Sequence, residues 1–504
     1  MTVKLKVLCY QDMDMSILGM AKNLQEKYNC DLFSITDLSG NPQKFFQEQS
    51  IVKYLKKWFY YDHILPNKKP DLEYLRSVEK NYNIDIWQIA YNDRIFFKYN
   101  DFYKFHPDEI LSIIEQGCKL FESILDEINP DFVLLPLTNS GRMHLFYEIC
   151  KAKNIQVLMF VPTRFGNRWM FSGEVEAIDY SDELSSSNTS RTLEELQNYL
   201  KGHDSFKEVV EETKGWQKSY SQFFKAATTY FLFSKNINLK THYTHFGRTK
   251  LRVFSNYIGS MIKKKYRINF MNKNLSRKID DEPFIFFPLI TEPERSLLIA
   301  APFHTNQLEL IMHIVKSLPI GYKLYVKDHG MMVTRNWRPI SFYKQIMELP
   351  NVKLLHHSIT PNDILKKCSL VITAGGTTGL ESAFYEKPTI TFVDTLYSKL
   401  KSVHVLKNIE DLPSVIRSQL IKKIDLNDLN SFVNLIDGNS FECDYIGFNI
   451  DAHQTFFYNG FLSDVEIKPS IMDKFLQRHQ LMFDQLGLEI IKKIKQCQKY
   501  KNCD

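Results

Sequence analysis

A turn that reads Gly-Gly-Thr-Thr-Gly has the residue types that bind phosphate. It follows an apolar run, Leu370–Thr373, that is typical of a buried parallel strand. Glycine lets the backbone approach a ligand, while threonine hydroxyls and the first amides of a helix donate hydrogen bonds to an anion. Glu381, one helical turn further on, can accept hydrogen bonds from ribose or sugar hydroxyls. The expected phosphate ligands are Gly375, Gly376, Thr377, Thr378 and Gly379.

The segment around this turn alternates apolar strands with amphipathic helices. Helix capping alone also accounts for glycine and threonine at a strand-helix turn, so the surrounding pattern matters. The expected strands are Phe284–Ile290, Lys323–Lys327, Val352–Leu355, Leu370–Thr373 and Thr389–Val393. The expected helices are Gln307–Ser317, Ser341–Glu348, Pro361–Lys367 and Thr378–Tyr385. This alternation predicts an α/β fold with a doubly wound parallel sheet, which binds ligands beyond the carboxyl ends of its strands.

Polar side chains follow two more of these strands. Glu292 and Glu294 follow the first expected strand, and Lys327 and His329 lie at the end of the second. Because the carboxyl ends of parallel strands meet at one edge, we expect these side chains to face the phosphate turn. His329 and Glu292 are candidate catalytic groups, and Glu294 and Lys327 are candidate ligand-binding groups.

Three motifs within Phe286–Val393 carry a family resemblance: PLITEPE, YKLYVKDHG and VITAGGTTGLESAFYEKPTITF. The stretch resembles the C-terminal nucleotide-sugar-binding domain of bacterial capsule and surface polysaccharide biosynthesis proteins. A weaker likeness covers Asp131–Phe171. The resemblance implies a glycosyltransferase B fold, with two Rossmann-like domains facing a cleft, and the layout is similar to nucleotide-sugar 2-epimerases. The family usually has Glu-His-Pro where this chain has Asp328-His329-Gly330, and in relatives that use CMP-sugars the His-Pro pair contacts the nucleotide.

The first half of the chain begins as a second α/β unit with its own polar strand ends. Asp12 and Asp14 follow the first expected strand, and one of these carboxylates can act as general base toward an acceptor hydroxyl. Arg164 and Arg168 follow a later strand and can bind a diphosphate or an acidic sugar through paired hydrogen bonds. Loop residues of these types also serve as caps and surface charges.

An aromatic-rich insertion at about residues 40–105 lies within this half. Its aromatic residues include Trp58, Tyr60, Tyr61, Trp87, Tyr91, Phe96, Phe97 and Tyr103. Such residues form the core of a helical subdomain more often than a sugar-stacking surface, and both interpretations remain open.

Composition indicates an ordinary globular protein of more than one domain. The chain has 504 residues, of which 44% are hydrophobic and 24% are charged. The first residues read as a strand, and the sequence contains no apolar run of about 18 residues, so we expect a cytoplasmic protein, in contact at most with the inner face of the membrane. Its 8 cysteines form no Cys-x-x-Cys pair, which favours reduced thiols over zinc ligands or disulfides.

The segment Thr241–Lys278 is strongly basic. It contains lysines and arginines but no aspartate or glutamate, and apolar residues are interleaved with the charges. This pattern is typical of an amphipathic helix that contacts an anionic membrane or glycan, although a solvated linker also has it. Nucleic acid is not expected as a partner, because the net charge is only +6 and no nucleic-acid-binding motif accompanies the segment.

These observations lead to four expected segments. They are an acceptor-side domain (1–240), a basic linker (241–282), a nucleotide-sugar-binding domain (283–424) and C-terminal helices that pack back on the first domain (425–504). The expected function is sugar transfer from a CMP- or UDP-linked donor to a surface polysaccharide or lipid-linked acceptor, with no further cofactor and no metal. A nucleotide-sugar 2-epimerase and a non-catalytic nucleotide-sugar-binding subunit remain alternatives.

Overall fold

Two parallel sheets organise the chain in a computed structural model. The structure describes residues 4–65, 69–179, 189–203, 242–330, 338–456 and 466–501, together with Thr228 and Leu232. The first sheet has the order β13-β6-β5-β4-β1-β2-β3 and the second has the order β12-β11-β10-β7-β8-β9.

The first sheet is parallel from β3 to β5. Strands β6 and β13 extend it antiparallel at one edge. Its strands are β1 (Lys6–Gln11), β2 (Asp31–Thr36), β3 (Lys56–Phe59), β4 (Phe132–Leu135), β5 (Gln156–Pro162), β6 (Arg168–Ser172) and β13 (Phe441–Glu442). The central strands β1 and β4 are almost wholly buried, as expected for continuous apolar runs covered by helices on both faces.

The second sheet is parallel throughout its paired strands. Its strands are β7 (Phe284–Pro288), β8 (Lys323–Lys327), β9 (Val352–Leu355), β10 (Leu370–Thr373), β11 (Thr389–Thr391) and β12 (Val403–Val405). The order runs outward from β7 in one direction to β9 and outward from β10 in the other to β12, which is the doubly wound arrangement. The expected fold class is therefore confirmed.

Helices cover both sheets. Those of the first half are Ser16–Tyr28, Gly40–Glu48, Tyr60–His63, Leu72–Tyr82, Ile86–Asn92, Pro107–Ile128, Gly141–Ala152 and Leu193–Gly202. Helix Lys250–Asn274 precedes the second sheet. Those that follow are Arg295–Leu298, Gln307–Ser317, Ile340–Met347, Pro361–Lys367, Thr378–Glu381, Leu412–Leu420, Leu426–Asn439, Tyr445–Phe456, Pro469–Arg478 and Gln480–Lys501. None of the helices in these described ranges is long and apolar enough to cross a bilayer.

The apolar period of Ser470–Tyr500 predicts one long helix, but the structure has two helices that meet at His479. His479 has φ −102° and ψ 16°, outside helical geometry. Its Nε2 atom lies 2.9 Å from a carboxylate oxygen of Asp451, and its ring packs against Phe448 and Phe475. These contacts hold the histidine where the chain changes direction, which a helical hydrophobic period cannot reveal.

The last helix packs on the first sheet of the chain. Phe483, Leu486 and Ile490 share a hydrophobic core with Leu18 and with the buried faces of β1 and β4. Gly19, on the first helix, lies directly under the Phe483 ring. The C-terminal residues therefore complete the core of the N-terminal half.

Most of the aromatic insertion is core. Tyr60 is 1% exposed, and its ring stacks on Phe121 with the centroids 5.8 Å apart. Three rings, those of Trp87, Tyr91 and Phe97, are exposed neighbours of one another. The core interpretation thus describes the greater part of the insertion.

Replacing Gly19 with alanine is expected to loosen the contact between the first and last helices. The added methyl group meets the Phe483 ring, and overpacking of this kind lowers the free energy of unfolding by about 1 to 3 kcal/mol. The matched control is Gly259→Ala in helix Lys250–Asn274, where an added Cβ meets nothing within 4 Å. That change should stabilise by up to about 1 kcal/mol. Thermal unfolding of both variants checks the pair, and equal midpoints would contradict the packing.

Candidate functional site

A cavity of about 250 Å³ lies at the carboxyl edge of the second sheet. Strands β7 and β10 are adjacent there, at the point where the strand order reverses, and doubly wound sheets bind their ligands at this position. The cavity is lined by Arg164, Phe286, Pro288, Leu289, Ile290, Thr291, Glu294, Ser296, Lys327, Asp328, His329, Gly330, Pro361, Gly376, Thr377, Thr378 and Glu381.

Many of the expected site residues lie together in this cavity. Those that line it are Arg164, Glu294, Lys327, His329, Gly376, Thr377, Thr378 and Glu381. They come from the strand ends of β5, β7, β8 and β10, and one of them, Arg164, belongs to the first half of the chain. The individual roles of these residues stay predictions.

The glycine turn is held in a defined shape by its own hydrogen bonds. Gly375 has φ +113°, a conformation that favours glycine. The amide of Gly376 donates to Thr373 Oγ1 at 3.0 Å, and the amide of Gly379 donates to the Gly376 carbonyl at 3.1 Å. A short helix then begins at Thr378. The turn therefore presents Gly376 and both threonines to the cavity.

Tyr397 supports this turn, and the sequence analysis did not identify it. Its hydroxyl donates to the Gly376 carbonyl at 2.6 Å. A Cβ atom added at Gly379 would lie 2.6 Å from the same hydroxyl oxygen, so glycine is required there for close packing rather than for ligand contact. Burial raises the pKa of Tyr397, which keeps the hydroxyl protonated as a donor. A signal was available, because Tyr397 follows β11 at the same edge of the sheet.

Arg164 joins the two halves at the cavity wall. Its Nη1 donates to the Gly375 carbonyl at 3.0 Å, and its Nη2 pairs with Glu176 at 2.7 Å. The other carboxylate oxygen of Glu176 pairs with Arg295 at 3.2 Å, and Arg295 Nε donates to Thr138 at 3.3 Å. One carboxylate thus serves two guanidinium groups, one from each half of the chain.

Lys327 and Asp328 both line the cavity at the end of β8, but their partners differ. Lys327 is 5% exposed. Burial lowers the pKa of Lys327, and the negative charges of Asp328 and Glu381 raise it by a smaller amount, so the pKa is lowered overall. Asp328 instead accepts hydrogen bonds from Arg338 and Tyr343 and from the backbone amide of the next residue, at 2.8 Å. Asp328 therefore fixes the loop that presents His329.

Glu292 has structural partners on every side. Its carboxylate accepts from Lys98 and Tyr99 at 3.0 Å each and from Gln307 at 3.2 Å, and Arg338 Nε lies 3.5 Å away. Burial alone would raise the pKa of Glu292, but Arg338 and Lys98 outweigh it and lower that pKa. Its placement supports a contact between the two halves, and a catalytic role stays a prediction that this environment does not favour.

Asp12 and Asp14 lie at the carboxyl end of β1, outside the residues that line the cavity. Asp12 Oδ1 accepts the Asp14 amide at 2.8 Å, and Asp14 receives hydrogen bonds from Ser16 and Tyr445. Burial first, and then the charge of Asp14, raises the pKa of Asp12 well above its ordinary value, which makes its carboxylate a stronger base. The structure adds Asp37 to this edge, a second carboxylate that contributes to the same rise.

Arg168 belongs to a different contact. It lies in β6, and its guanidinium donates to Ser440 at 3.0 Å and to the Asp437 carbonyl at 3.2 Å. It is absent from the lining of the described cavity. The expected contact between Arg168 and phosphate is therefore not supported by its position, because the side chain is directed to the antiparallel edge of the first sheet.

Across the described ranges, no three His, Cys, Asp or Glu side chains cluster as a metal site.

Replacing Glu176 with glutamine is expected to weaken the contact between the halves. Burial would raise the pKa of Glu176, but Arg164 and Arg295 outweigh it and lower that pKa, so its stabilisation is present above about pH 4.5 and is lost as the pH falls. The variant should lose about 1 to 3 kcal/mol at neutral pH and should depend less on pH below that value. Denaturant unfolding between about pH 3 and 7 measures both effects.

Glu174→Gln is the matched control for this change. Glu174 pairs with Lys151 at 2.8 Å, but both side chains are more than half exposed, so its loss should cost less than about 1 kcal/mol. Equal losses of unfolding free energy in the two variants would show that the pairs of Glu176 with Arg164 and Arg295 contribute no more to stability than an exposed ion pair does.

Part of this chain is similar to a known protein family. Residues 189–400 match the family described as capsule polysaccharide biosynthesis protein. No curated protein matches the chain. The matched range includes strands β7 to β11 of the second sheet. It also includes every residue of the cavity lining except Arg164.

Several solved structures are similar at low identity. The UDP-GlcNAc 2-epimerase of Methanocaldococcus jannaschii is 14% identical, with 87% of this chain and 98% of that chain covered and a TM-score of 0.25. KpsC of Thermosulfurimonas dismutans, a beta Kdo 2,7 transferase, is 12% identical, with 66% and 88% covered and a TM-score of 0.30. The spinosyn rhamnosyltransferase SpnG is 10% identical, with 86% and 96% covered and a TM-score of 0.25.

These superpositions are loose, and the fold is established by the two sheets of the chain itself. The family match covers the segment in which PLITEPE, YKLYVKDHG and the glycine turn suggested the same resemblance. Residues 189–400 of this protein are therefore similar to the capsule polysaccharide biosynthesis family.

Proposed function

We propose that this protein is a glycosyltransferase that moves a sugar from a nucleotide-activated donor to a surface or capsular polysaccharide or to a lipid-linked acceptor. The observation that carries the proposal is the cavity at the β7/β10 switch point, where a glycine-threonine turn, two cationic side chains and a histidine converge. The family match over the same residues supports it.

The donor phosphates are assigned to the glycine turn. Thr377 and Thr378 offer hydroxyl donors at the start of a helix, and Arg164 and Lys327 supply positive charge from two other loops of the same cavity. When the bond between the anomeric carbon and the phosphate oxygen breaks, the leaving nucleotide keeps the electron pair. Groups fixed at that position before reaction stabilise the developing charge.

The remaining cavity residues are assigned to the nucleoside and the sugar. Glu381 lies one helical turn beyond the phosphate turn, where a carboxylate can accept from ribose or sugar hydroxyls. His329 is assigned to the phosphate or the base and Glu294 to the sugar. The proposed donor is CMP- or UDP-linked. Gly330 replaces the proline of the family's usual motif and gives the loop after β8 more backbone freedom, so the motif does not select between the two nucleotides.

The acceptor is assigned to the first sheet. Its hydroxyl oxygen attacks the anomeric carbon, and its proton passes to a carboxylate at the carboxyl end of β1. Asp12 is the preferred base, because burial and neighbouring carboxylates raise its pKa toward the range in which a carboxylate is an effective base.

A cytoplasmic location is part of this proposal. The cysteines at positions 9, 30, 118, 150, 368 and 443 are free thiols and are buried. Free thiols in this number are typical of a reducing compartment, which supports the assignment.

Incubation of the purified protein with a panel of CMP-, UDP- and GDP-sugars tests the function. We expect one donor to release free nucleotide only when an oligosaccharide or glycolipid acceptor is present, because transfer requires the acceptor hydroxyl. Nucleotide release and the glycosylated product are measured by chromatography and mass spectrometry.

The same experiment separates the two other functions. A donor whose sugar changes configuration without any acceptor would identify a 2-epimerase and contradict the transferase. Binding of a nucleotide-sugar without turnover under every acceptor condition would identify a non-catalytic subunit.

Replacing both Thr377 and Thr378 with valine is expected to weaken nucleotide binding. The change removes two hydroxyl donors at nearly constant shape, so the loss should be about 1 to 3 kcal/mol of binding free energy. Titration calorimetry with the donor nucleotide measures it. The double serine variant keeps both hydroxyls and should bind close to the native level, and unchanged affinity in the valine variant would remove the turn from the site.

A further inference from the structure

Helix Lys250–Asn274, which we call the basic helix, presents an apolar stripe to the outside of the molecule. It has 25 residues, and among them only Arg267 and Met271 are buried. Several large apolar residues are exposed, Leu251 to 76% and Ile262 to 65%. The stripe consists of Leu251, Ile258, Met261, Ile262 and Tyr266.

The stripe and the buried face lie on opposite sides of the basic helix. At about 100° per residue, the mean direction of the stripe is about 180° from the mean direction of Arg267 and Met271. The stripe therefore points away from the protein body. It cannot be buried by a small rotation, since that would expose Met271, which packs in the core of the second sheet.

Both ends of the basic helix are attached to the protein body. At its start, Arg252 donates to the Phe102 carbonyl at 3.0 Å and Asn256 donates to Asp101 at 3.1 Å, both in the first half. At its end, the Asn272 side chain lies 2.9 Å from His356 Nε2, which directly follows β9 in the second half. The helix thus spans both halves along about 37 Å, with its apolar side held outward.

The charges of the basic helix select the kind of partner. The segment carries Lys250, Arg252, Lys263–Lys265, Arg267 and Lys273 and contains no aspartate or glutamate. The three consecutive lysines directly follow Ile262 of the stripe and precede Tyr266, so positive charge flanks the apolar residues. An exposed apolar stripe bordered by lysines is complementary to a surface with anionic head groups above acyl chains.

We propose that the basic helix docks this protein on an anionic lipid bilayer, lying in the plane of the interface with its stripe among the head groups. The docking goes beyond the transfer reaction and does not require it. Because both halves are attached to the helix, docking would also fix the orientation of both halves relative to the membrane surface.

Co-sedimentation with vesicles tests the proposal on the full chain without any donor or acceptor. We expect binding to phosphatidylcholine vesicles that contain about 30 mol % phosphatidylglycerol, and little binding to phosphatidylcholine alone, at about 0.1 M salt. Changing Lys263, Lys264 and Lys265 to glutamine should reduce binding by about tenfold or more. Changing Leu251, Ile258 and Ile262 to serine should reduce it comparably, since the apolar contact is lost.

Ile320→Ser and Ile421→Ser are the matched controls. Both isoleucines are highly exposed, to 104% and 83%, but they lie on turns outside the basic helix, so these variants should bind vesicles like the native protein. Thermal unfolding midpoints of all variants should agree with that of the native protein, because the changed side chains are exposed.

Three results would overturn the proposal. In the first, the native protein does not bind anionic vesicles even at low salt. In the second, the lysine and serine variants of the basic helix bind vesicles as well as the native protein does. In the third, sedimentation velocity would show a dimer that the serine variant dissociates, with no vesicle binding, which would assign the stripe to a second copy of the chain. Since no sugar transfer is measured, a failure here leaves the proposed transferase function to its own test.

Discussion

A guanidinium group crosses between the two sheets at the cavity. Arg164, after β5 of the first sheet, donates to the backbone of the glycine turn after β10 of the second and pairs with Glu176. A partly buried cation is stable only where its charge and its hydrogen bonds are compensated, so the position of Arg164 is narrowly defined. The same side chain lines the cavity. The contact that joins the halves therefore also sets where positive charge faces a ligand.

A second group of buried charges, Arg338 with Asp328 and Glu292, lies beside the cavity. Its carboxylates are paired with a buried arginine. Arg338 is 3% exposed and is bonded to Asp328, with Glu292 close by. Glu292 and Asp328 both lie close to Arg338, although Asp328 also lines the cavity, as Glu294 and Glu381 do. A buried arginine compensates the charge of the acids that surround it and leaves them poor candidates for proton transfer. A polar residue at a strand end is thus a candidate for the site, and its partners decide its role.

The sequence predicted the second sheet closely because hydrophobic period and turn chemistry are local. Strands β8, β9 and β10 have the predicted bounds, and the turn after β10 was located from five consecutive residues. The supporting contacts were not predictable in this way. Tyr397 reaches Gly376 over 21 positions, and Arg164 reaches Gly375 over 211. Contacts between residues so far apart in the sequence depend on how the two sheets pack. The hydrophobic period of a single sequence carries no information about that packing.

The charge balance of the cavity wall bears on what the site can bind. Arg164 and Arg295 share the single carboxylate of Glu176, so this group of three side chains carries a surplus positive charge. Lys327 adds a buried ammonium whose pKa burial lowers. A phosphate bound near both cations would favour the charged form of Lys327 and would offset the surplus on the arginines. Glu294, Asp328 and Glu381 line the same cavity, so a bound ligand meets carboxylates as well as these cations, and its charge must match both.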